Sequence, residues 1–303
     1  MATKAILIID DEKAQAEALK LKLSEKLQEA SFFVASKADE IEYEIENKFY
    51  NLVILDIRMD GYNFDGITLA NKIIDINPFA KIIFVSRFVA EYLSSLQPLM
   101  SNGIILGFSE KKDYSTWIPE LLPLIEDYYI NLERDPLEVN NALLEYYAEA
   151  KNEIDTYRKG VKFENFITIL FRSIGFKEIL KRVKDRSLNE VDLILRNDIE
   201  DSFLSKFGKY ILIECKNKPE DKANKNDFIL FLEKLKNTNG LAELGFLFTT
   251  SSVTKNTYTE AVRTSTEKYK IVIINNQIMS ALLASVDLKE GLKKIIDSQV
   301  KDN

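Results

Sequence analysis

Acidic, hydroxyl and amino side chains follow the apolar runs in the first half of the sequence. The runs are Ala5–Ile9, Leu52–Leu55, Ile82–Val85 and Ile104–Leu106, and the groups that follow them are Asp10 and Asp11, then Asp56, then Ser86, and finally Lys111. Three crowded carboxylates repel one another unless a cation neutralises them, and oxygen ligands suit Mg²⁺. A carboxylate nucleophile beside a metal ion, a hydroxyl and a lysine forms a reasonable acceptor site for a phosphoryl group.

An acid and a base also alternate within one apolar stretch of the second half, ILIECKNKP at 211–219. Side chains alternate along a strand, so Glu214 and Lys216 share one face. Taken alone, this pattern favours a solvated edge strand. Asp192, inside the apolar run VDLIL, and Glu164, on a preceding amphipathic helix, change that interpretation. Two carboxylates from adjacent strands can hold a metal ion beside a phosphodiester, and a lysine on the same face can orient the attacking water.

The composition excludes several kinds of chemistry. The 303 residues contain no histidine, and Cys215 is the only cysteine. This excludes Ser-His-Asp and Cys-His catalysis, histidine-bound metals, cysteine zinc clusters and an internal disulfide. No apolar run approaches the roughly 20 residues that span a bilayer, and no signal-peptide pattern begins the chain, so we expect a cytoplasmic protein that does not enter a membrane.

Charge is distributed unevenly along the chain. Residues 1–130 carry 13 Lys and Arg against 21 Asp and Glu, whereas residues 159–303 carry 25 against 20. The acidic first half and mildly basic second half suggest different partners for each half. The excess of positive charge permits nucleic-acid binding in the second half without establishing it.

The elements of the first half must bring its reactive residues together. Its apolar runs are continuous, which is typical of parallel strands covered on both faces, and Ser31–Ala35 adds a fifth strand. Helical patterns such as Ala14–Leu27 and Ile67–Ile76 lie between the strands. Strand and helix in alternation predict an α/β fold with a doubly wound parallel sheet of five strands, whose carboxyl ends form a binding edge.

Residues 1–130 resemble the receiver domain of two-component response regulators, which has a flavodoxin-like fold. The matching motifs are IIDD at 8–11, LVILDIRMDG at 52–61, VS at 85–86 and GFSEKK at 107–112. The resemblance implies that Asp56 is the phospho-acceptor, that Asp10, Asp11 and Asp56 hold Mg²⁺, that Ser86 and Lys111 contact the phosphoryl group, and that Phe108 is the switch aromatic. It also implies a sensor histidine kinase or a phosphotransfer protein as partner. Two residues depart from the family pattern, because Asp60 and Lys112 each replace a usual proline.

Residues 131–159 are predicted to form a helical linker. Asp135 and Pro136 are a strong start signal for a helix, with Asp as the N-cap and Pro at the first helical position. The apolar residues that follow recur at coiled-coil spacing: Leu137, Leu144, Tyr147 and Ile154. This stripe fits a seam in a homodimer, and it fits equally well a helix that packs on its own domain.

Residues 160–303 are predicted to form a second α/β domain with a mixed central sheet. A helix over Lys162–Ser173 precedes three strands, and helices then alternate with two further strands. The strands are expected at Glu178–Val183, Val191–Leu195, Tyr210–Lys216, Leu244–Thr249 and Lys270–Ile274, and the later helices at Asn226–Asn237 and after Thr254.

This half resembles the PD-(D/E)xK nucleases, and among them the Mrr-type restriction endonuclease domain, which has a restriction-endonuclease-like fold. The matching segments are KFENFITILFRSIGF at 162–176, EVDLIL at 190–195, YILIECK at 210–216 and LGFLFTTSSVT at 244–254. The resemblance implies that Asp192 and Glu214 bind Mg²⁺, with Mn²⁺ as a substitute, that Lys216 is the catalytic lysine, and that Glu164 completes the acidic set. Val191 replaces the proline of the motif, and the gap from Asp192 to Glu214 is long.

Together these features predict a phosphorylation-controlled response regulator whose output domain is a metal-dependent endonuclease acting on DNA. Two other functions remain open at this level. The nuclease-like fold can bind DNA or protein without cleaving it, and the output can be dimerisation alone.

Overall fold

The computed structural model describes residues 4–48, 50–87, 89–101, 103–134, 136–184, 190–264 and 268–301. These residues divide into two compact units, Met1–Pro136 and Leu137–Asn303. Each unit contains a five-stranded sheet with helices packed against it. Among the described residues, no helix is both long enough and apolar enough to cross a membrane.

The first unit alternates strand and helix from its first strand to its last helix. Its elements are β1 (Lys4–Ile9), α1 (Lys13–Lys26), β2 (Ala30–Ala35), α2 (Ala38–Asn47), β3 (Leu52–Asp56), α3 (Gly66–Ile76), β4 (Lys81–Ser86), α4 (Leu93–Ser101), β5 (Ile105–Glu110) and α5 (Tyr114–Arg134). All neighbouring strands are parallel, in the order β2-β1-β3-β4-β5. The predicted doubly wound sheet is confirmed.

The apolar runs form these strands because both faces of the sheet are covered. Every residue of β3 is buried. Leu55 and Phe84 belong to an apolar cluster on one face, whereas Ile54 and Trp117 belong to a cluster on the other. Parallel strands buried on both faces need continuous apolar sequence, which is the pattern that the sequence contains.

The second unit contains a mixed sheet. Its elements are α6 (Pro136–Asn152), α7 (Thr156–Ile174), β6 (Ile179–Lys184), β7 (Glu190–Arg196), β8 (Tyr210–Lys216), α8 (Lys225–Lys236), β9 (Ala242–Thr249), α9 (Lys255–Arg263), β10 (Lys270–Ile274), α10 (Asn276–Leu283) and α11 (Leu288–Lys301). The strand order is β10-β9-β8-β7-β6, with parallel pairs from β10 to β8 and antiparallel pairs from β8 to β6. The prediction of a mixed sheet is therefore confirmed.

Helix α7 is longer than the amphipathic pattern indicated. It begins at Thr156 because the Asp155 carboxylate accepts a hydrogen bond from the backbone N–H of Arg158, an N-cap interaction. It ends at Gly175, whose φ of 122° lies in the region that favours glycine. Helices α10 and α11 had not been anticipated from the sequence.

Helix α6 packs on its own unit through part of the predicted stripe. The ring of Tyr147 lies 5.1 Å from Phe166 of α7, and its hydroxyl donates to Asn276 at 2.8 Å. Leu144 is exposed on α6, whereas Ile154, although exposed, lies beyond the end of this helix and does not continue the predicted stripe. Asp135 and the side chain of Leu137 lie outside the described residues, and the boundaries of the linker at 131 and 159 stay a prediction.

Candidate functional site

The carboxyl ends of β1 and β3 bring three carboxylates together in the first unit. The two strands are parallel neighbours with Ile9 paired to Leu55, so Asp10 and Asp56 follow side by side. Ligand oxygens of Asp10, Asp11 and Asp56 all lie within 4.8 Å of one another. Asp10 and Asp56 are buried, whereas Asp11 is half-buried. Three oxygen donors at this spacing fit a hard divalent cation.

Lys111 lies beside these carboxylates because it directly follows β5. Its ammonium donates to Asp10 Oδ2 at 2.8 Å and also to Asp56. Its backbone N–H donates to the carbonyl of Ser86 at 2.9 Å, which fixes the start of its side chain at the end of β4. Lys111 therefore forms ion pairs with two buried acids.

The electrostatic environment of these acids follows from their burial. Burial raises the pKa of Asp56 to about 6, although its contact with Lys111 opposes the shift. Burial and the charge of Asp10 likewise raise the pKa of Asp11. For Lys111, burial lowers the pKa, but the charges of Asp10 and Asp56 outweigh it and the net shift is upward. A cation at this edge would stabilise all three charged carboxylates.

Backbone amides also hold the carboxylates. The N–H of Arg58 donates to Asp56 Oδ1 at 3.2 Å, and the N–H of Asp60 donates to Asp11 Oδ2 at 3.0 Å. A proline at position 60 would have no N–H to donate, so this hydrogen bond depends on the presence of Asp60 there. Gly66 is required nearby because a Cβ there would lie 2.1 Å from the carbonyl oxygen of Asp56.

Ser86 and Phe108 lie on the strands beyond β3. Asp56 pairs with Val85, so Ser86, the last residue of β4, lies one position further along the same edge. Phe108 is half-buried in β5, where its ring stacks on Phe84 at 6.1 Å. Ser86 thus lies at the carboxylate edge, and Phe108 lies in the adjacent strand.

In the second unit, two neighbouring antiparallel strands each contribute one acid, and the two acids lie opposite each other. The register of β7 and β8 pairs Leu193 with Ile213, so Asp192 and Glu214 come next in that register. There the backbone N–H of Cys215 donates to Asp192 Oδ2 at 2.7 Å. Val191, Leu193 and Leu195, on the other face of β7, are buried as expected.

Glu214 is held between two lysines. Lys216 donates to its Oε1 at 2.8 Å, and Lys234 of α8 donates to its Oε2, also at 2.8 Å. Glu214 is only 6% exposed, so its charge depends on these partners rather than on water. Lys234 had not been identified from the sequence.

Burial dominates the electrostatics of this second cluster as well. Burial, together with the charges of Glu214 and Glu164, raises the pKa of Asp192 to about 6, although the hydrogen bond from the Cys215 N–H and the charge of Lys216 oppose the shift. Glu164, on α7, is therefore close enough to Asp192 to raise its pKa. Burial, followed by the charges of the neighbouring acids, raises the pKa of the Cys215 thiol well above its ordinary value.

Comparison with known proteins matches each unit to a protein family. Residues 6–103 match the model of the response regulator receiver domain, and residues 158–283 match the Mrr restriction endonuclease model. The chain joins a receiver domain to an Mrr-type domain.

Solved structures resemble the receiver domain. They include the response regulator TrrA of Thermotoga maritima, which is 29% identical over 40% of this chain and 98% of its own length, with a TM-score of 0.33. A CheY-like receiver domain of Methanospirillum hungatei is 23% identical over 42% of this chain and 98% of its own, with a TM-score of 0.35. The NtrX receiver domain of Brucella abortus is 24% identical over 40% and 98%, with a TM-score of 0.34. A search of curated proteins finds no match.

The two domains differ in how closely their acids converge. Among the residues that the structure describes, the receiver carboxylates are the one group of three acids whose ligand atoms all lie within 4.8 Å of one another. The Mrr-type domain offers the oxygens of Asp192 and Glu214, with Glu164 close enough to affect their charge. These donors suit a hard cation in both domains.

Asn217 is a second residue of the Mrr-type domain that sequence analysis missed. Its side-chain amide donates to the carbonyls of Ala150 and Lys159 at 2.8 Å each, and its oxygen accepts from Thr250 at 3.0 Å. Asn217 directly follows Lys216, so these hydrogen bonds tie the end of β8 to α6, to α7 and to the end of β9. A lone asparagine after a strand carries no signal that could have indicated this role.

Proposed function

We propose that the chain is a phosphorylation-controlled response regulator whose Mrr-type domain hydrolyses phosphodiester bonds of DNA. The observation that carries the proposal is the placement of Asp192, Glu214 and Lys216 on two adjacent strands, with Glu164 acting on the same point. The receiver matched at residues 6–103 supplies the control.

In the receiver domain, Asp56 accepts the phosphoryl group from a sensor histidine kinase or a phosphotransfer protein. A carboxylate oxygen of Asp56 forms the new bond to phosphorus while the bond from phosphorus to the donor breaks. Lys111, which already contacts Asp56, pairs with the added negative charge, and the Ser86 hydroxyl donates to a phosphoryl oxygen. Mg²⁺ held by Asp10, Asp11 and Asp56 would offset the charge on the transferred group.

In the Mrr-type domain, Asp192 and Glu214 would hold Mg²⁺ or Mn²⁺, with Glu164 beside them. The metal ion would lower the pKa of a bound water and stabilise negative charge on the phosphate. Lys216 changes partner from Glu214 to the water or the phosphate, and its side chain, 25% exposed on the last residue of β8, is accessible for this exchange. No step needs a histidine, which agrees with the composition.

A plasmid-cleavage assay tests the proposal. Purified protein is incubated with DNA and Mg²⁺ or Mn²⁺, with and without a phosphoryl analogue, and compared with Lys216→Ala. We expect cleavage that depends on the metal and falls by about 10²–10³ in the variant, the usual loss when one group stabilising the transition state is removed. Cleavage that is unaffected by Lys216→Ala would overturn the assigned role, and no cleavage under any of these conditions would overturn the nuclease.

One observation favours a second function, a DNA-binding or protein-binding module without cleavage. Both oxygens of Glu214 already carry lysine partners, an arrangement that a purely structural ion-pair network would also show. DNA binding that weakens steeply with salt, in the absence of cleavage, would support this alternative.

A further inference from the structure

Two lysines from different secondary-structure elements, Lys216 and Lys234, contact Glu214 in the second site. Lys216 and Glu214 lie two residues apart on β8, whereas Lys234 lies in the last turn of α8. Each ammonium lies 2.8 Å from a different oxygen of Glu214. The side chain of Lys234 is 19% exposed and that of Glu214 is 8% exposed, so this contact is largely shielded from solvent.

Tight packing of α8 on the sheet fixes the position of Lys234. Phe228, Phe231 and Leu235 of this helix are buried. Gly245 of β9 permits the close approach, because a Cβ at this position would lie 2.8 Å from the ring of Phe231. Strand β9 is the neighbour of β8 and pairs Leu247 with Glu214. The last turn of α8 is therefore held within reach of the Glu214 carboxylate.

The two lysines have different freedom to change partners. Lys234 is anchored by a packed helix, whereas Lys216 extends from the end of a strand and is more exposed, at 25%. If Lys216 turns toward a phosphate or a water, Glu214 keeps a charge partner on Oε2. A nearly buried carboxylate without any partner would instead lose its orientation and would be left buried without a hydrogen bond.

We propose that Lys234 is a positioning residue of this site, which holds Oε2 of Glu214 so that Oε1 faces the metal ion and Lys216 is free for the phosphate. This inference rests on the proposed nuclease function. Groups that hydrogen-bond to a metal ligand orient it, and their loss usually costs about 10–100-fold in metal affinity or activity.

Metal binding by the full chain tests the inference independently of cleavage. Asp11→Asn and Asp56→Asn are introduced first, which removes two of the three receiver carboxylates and isolates the second site. Mn²⁺ affinity is then measured by electron paramagnetic resonance for this parent and for Lys234→Met, Lys234→Arg and Lys294→Met. Lys294 is exposed on α11 and controls for the loss of one positive charge.

We expect Lys234→Met to weaken Mn²⁺ binding about tenfold, and Lys234→Arg, which keeps both charge and donor, to restore most of it. Lys294→Met should bind as the parent does. In cleavage assays of the chain with an intact receiver, Lys234→Met should raise the Mg²⁺ concentration for half-maximal rate more than it lowers the rate at saturating Mg²⁺. A purely structural contact would not produce this separation.

Two results would overturn the inference. Equal Mn²⁺ affinity of the parent and a folded Lys234→Met variant would overturn the role of Lys234 alone. No Mn²⁺ binding by the parent would overturn the proposed metal site, and the role of Lys234 with it. Circular dichroism establishes folding, and if Lys234→Met does not fold, Lys234→Gln replaces it with the same weakening expected.

Discussion

The receiver domain and the Mrr-type domain combine carboxylates and lysines in different proportions. In the receiver, Lys111 contacts Asp10 and Asp56, and Asp11 lies beside them as a third acid. In the Mrr-type domain, one carboxylate, Glu214, has two lysines of its own. An excess of acid suits a site that binds a cation before it receives a phosphoryl group, whereas added lysine suits a site that must approach the anionic backbone of a nucleic acid.

The two sites also differ in the elements that carry them. The receiver acids lie at the carboxyl ends of parallel strands, where backbone N–H groups of Glu12, Arg58 and Asp60 donate to them. The acids of the Mrr-type domain lie in an antiparallel strand pair beneath a helix. The loop amides stabilise the receiver acids without adding charge, whereas Glu214 is held by two lysine side chains, one of them from another element.

The largest expected effect is the loss of phosphorylation, which should follow from a substitution of Asp56 in the receiver and not from one of Asp192 in the Mrr-type domain. Asp56→Asn should abolish phosphorylation by acetyl phosphate, because an amide cannot form the acyl phosphate, and mass spectrometry would detect the loss of the added phosphoryl group. Asp192→Asn, the matched change in the other domain, should leave phosphorylation intact. Incorporation of phosphate into Asp56→Asn would place the acceptor elsewhere.

Removing a lysine should cost more stability in the receiver than in the Mrr-type domain. Lys111→Met leaves two buried acids without their cation and should lower the free energy of unfolding by about 3–5 kcal/mol in the absence of divalent ions. Lys216→Met should cost about 1 kcal/mol, because Glu214 retains Lys234.

The sole tryptophan measures the receiver side of this comparison, and the circular dichroism unfolding transition that lacks a matching fluorescence change measures the Mrr-type side. Trp117 is buried in the receiver domain, where its indole N–H donates to Ser109 at 2.8 Å, so its fluorescence follows that domain during urea unfolding. Lys111→Met should shift this transition, and added Mg²⁺ should reverse part of the shift. Equal destabilisation by the two substitutions would contradict the difference in charge balance described above.

A smaller effect is expected from Asn217. Asn217→Ala leaves the carbonyls of Ala150 and Lys159 without their donor and should cost the Mrr-type domain about 1–3 kcal/mol. Asn217→Asp, of the same shape, should cost more because it turns an oxygen toward both carbonyls. Far-ultraviolet circular dichroism measures both, and unchanged unfolding of Asn217→Asp would show that these hydrogen bonds contribute nothing.

Most of the fold could be predicted because its signals are local. Continuous apolar runs gave the five receiver strands, and all five strands of the second sheet lie within a few residues of their predicted positions. Helix α11 was missed although its buried residues Leu288, Leu292 and Ile296 recur at a spacing of four, which is a helical pattern that the sequence itself contains.

The packing of α6 and the contacts of Asp60 could not be predicted. An apolar stripe does not identify the surface that covers it, and the structure shows Tyr147 against α7 while Leu144 remains exposed. The N–H that Asp60 donates to Asp11 joins residues far apart in sequence. Such a contact depends on the path of the loop after β3, which has no periodic pattern.

The sequence by itself determined which side chains share a face of one strand and which follow its end, because alternation along a strand and the ends of apolar runs are local properties. Asp56 at the end of its strand and Glu214 beside Lys216 follow from this alone. Only the tertiary structure placed Lys234 and Asn217 beside the second site. Their positions depend on how closely a helix approaches the sheet, which is set by packing between residues distant in sequence, such as Phe231 on Gly245.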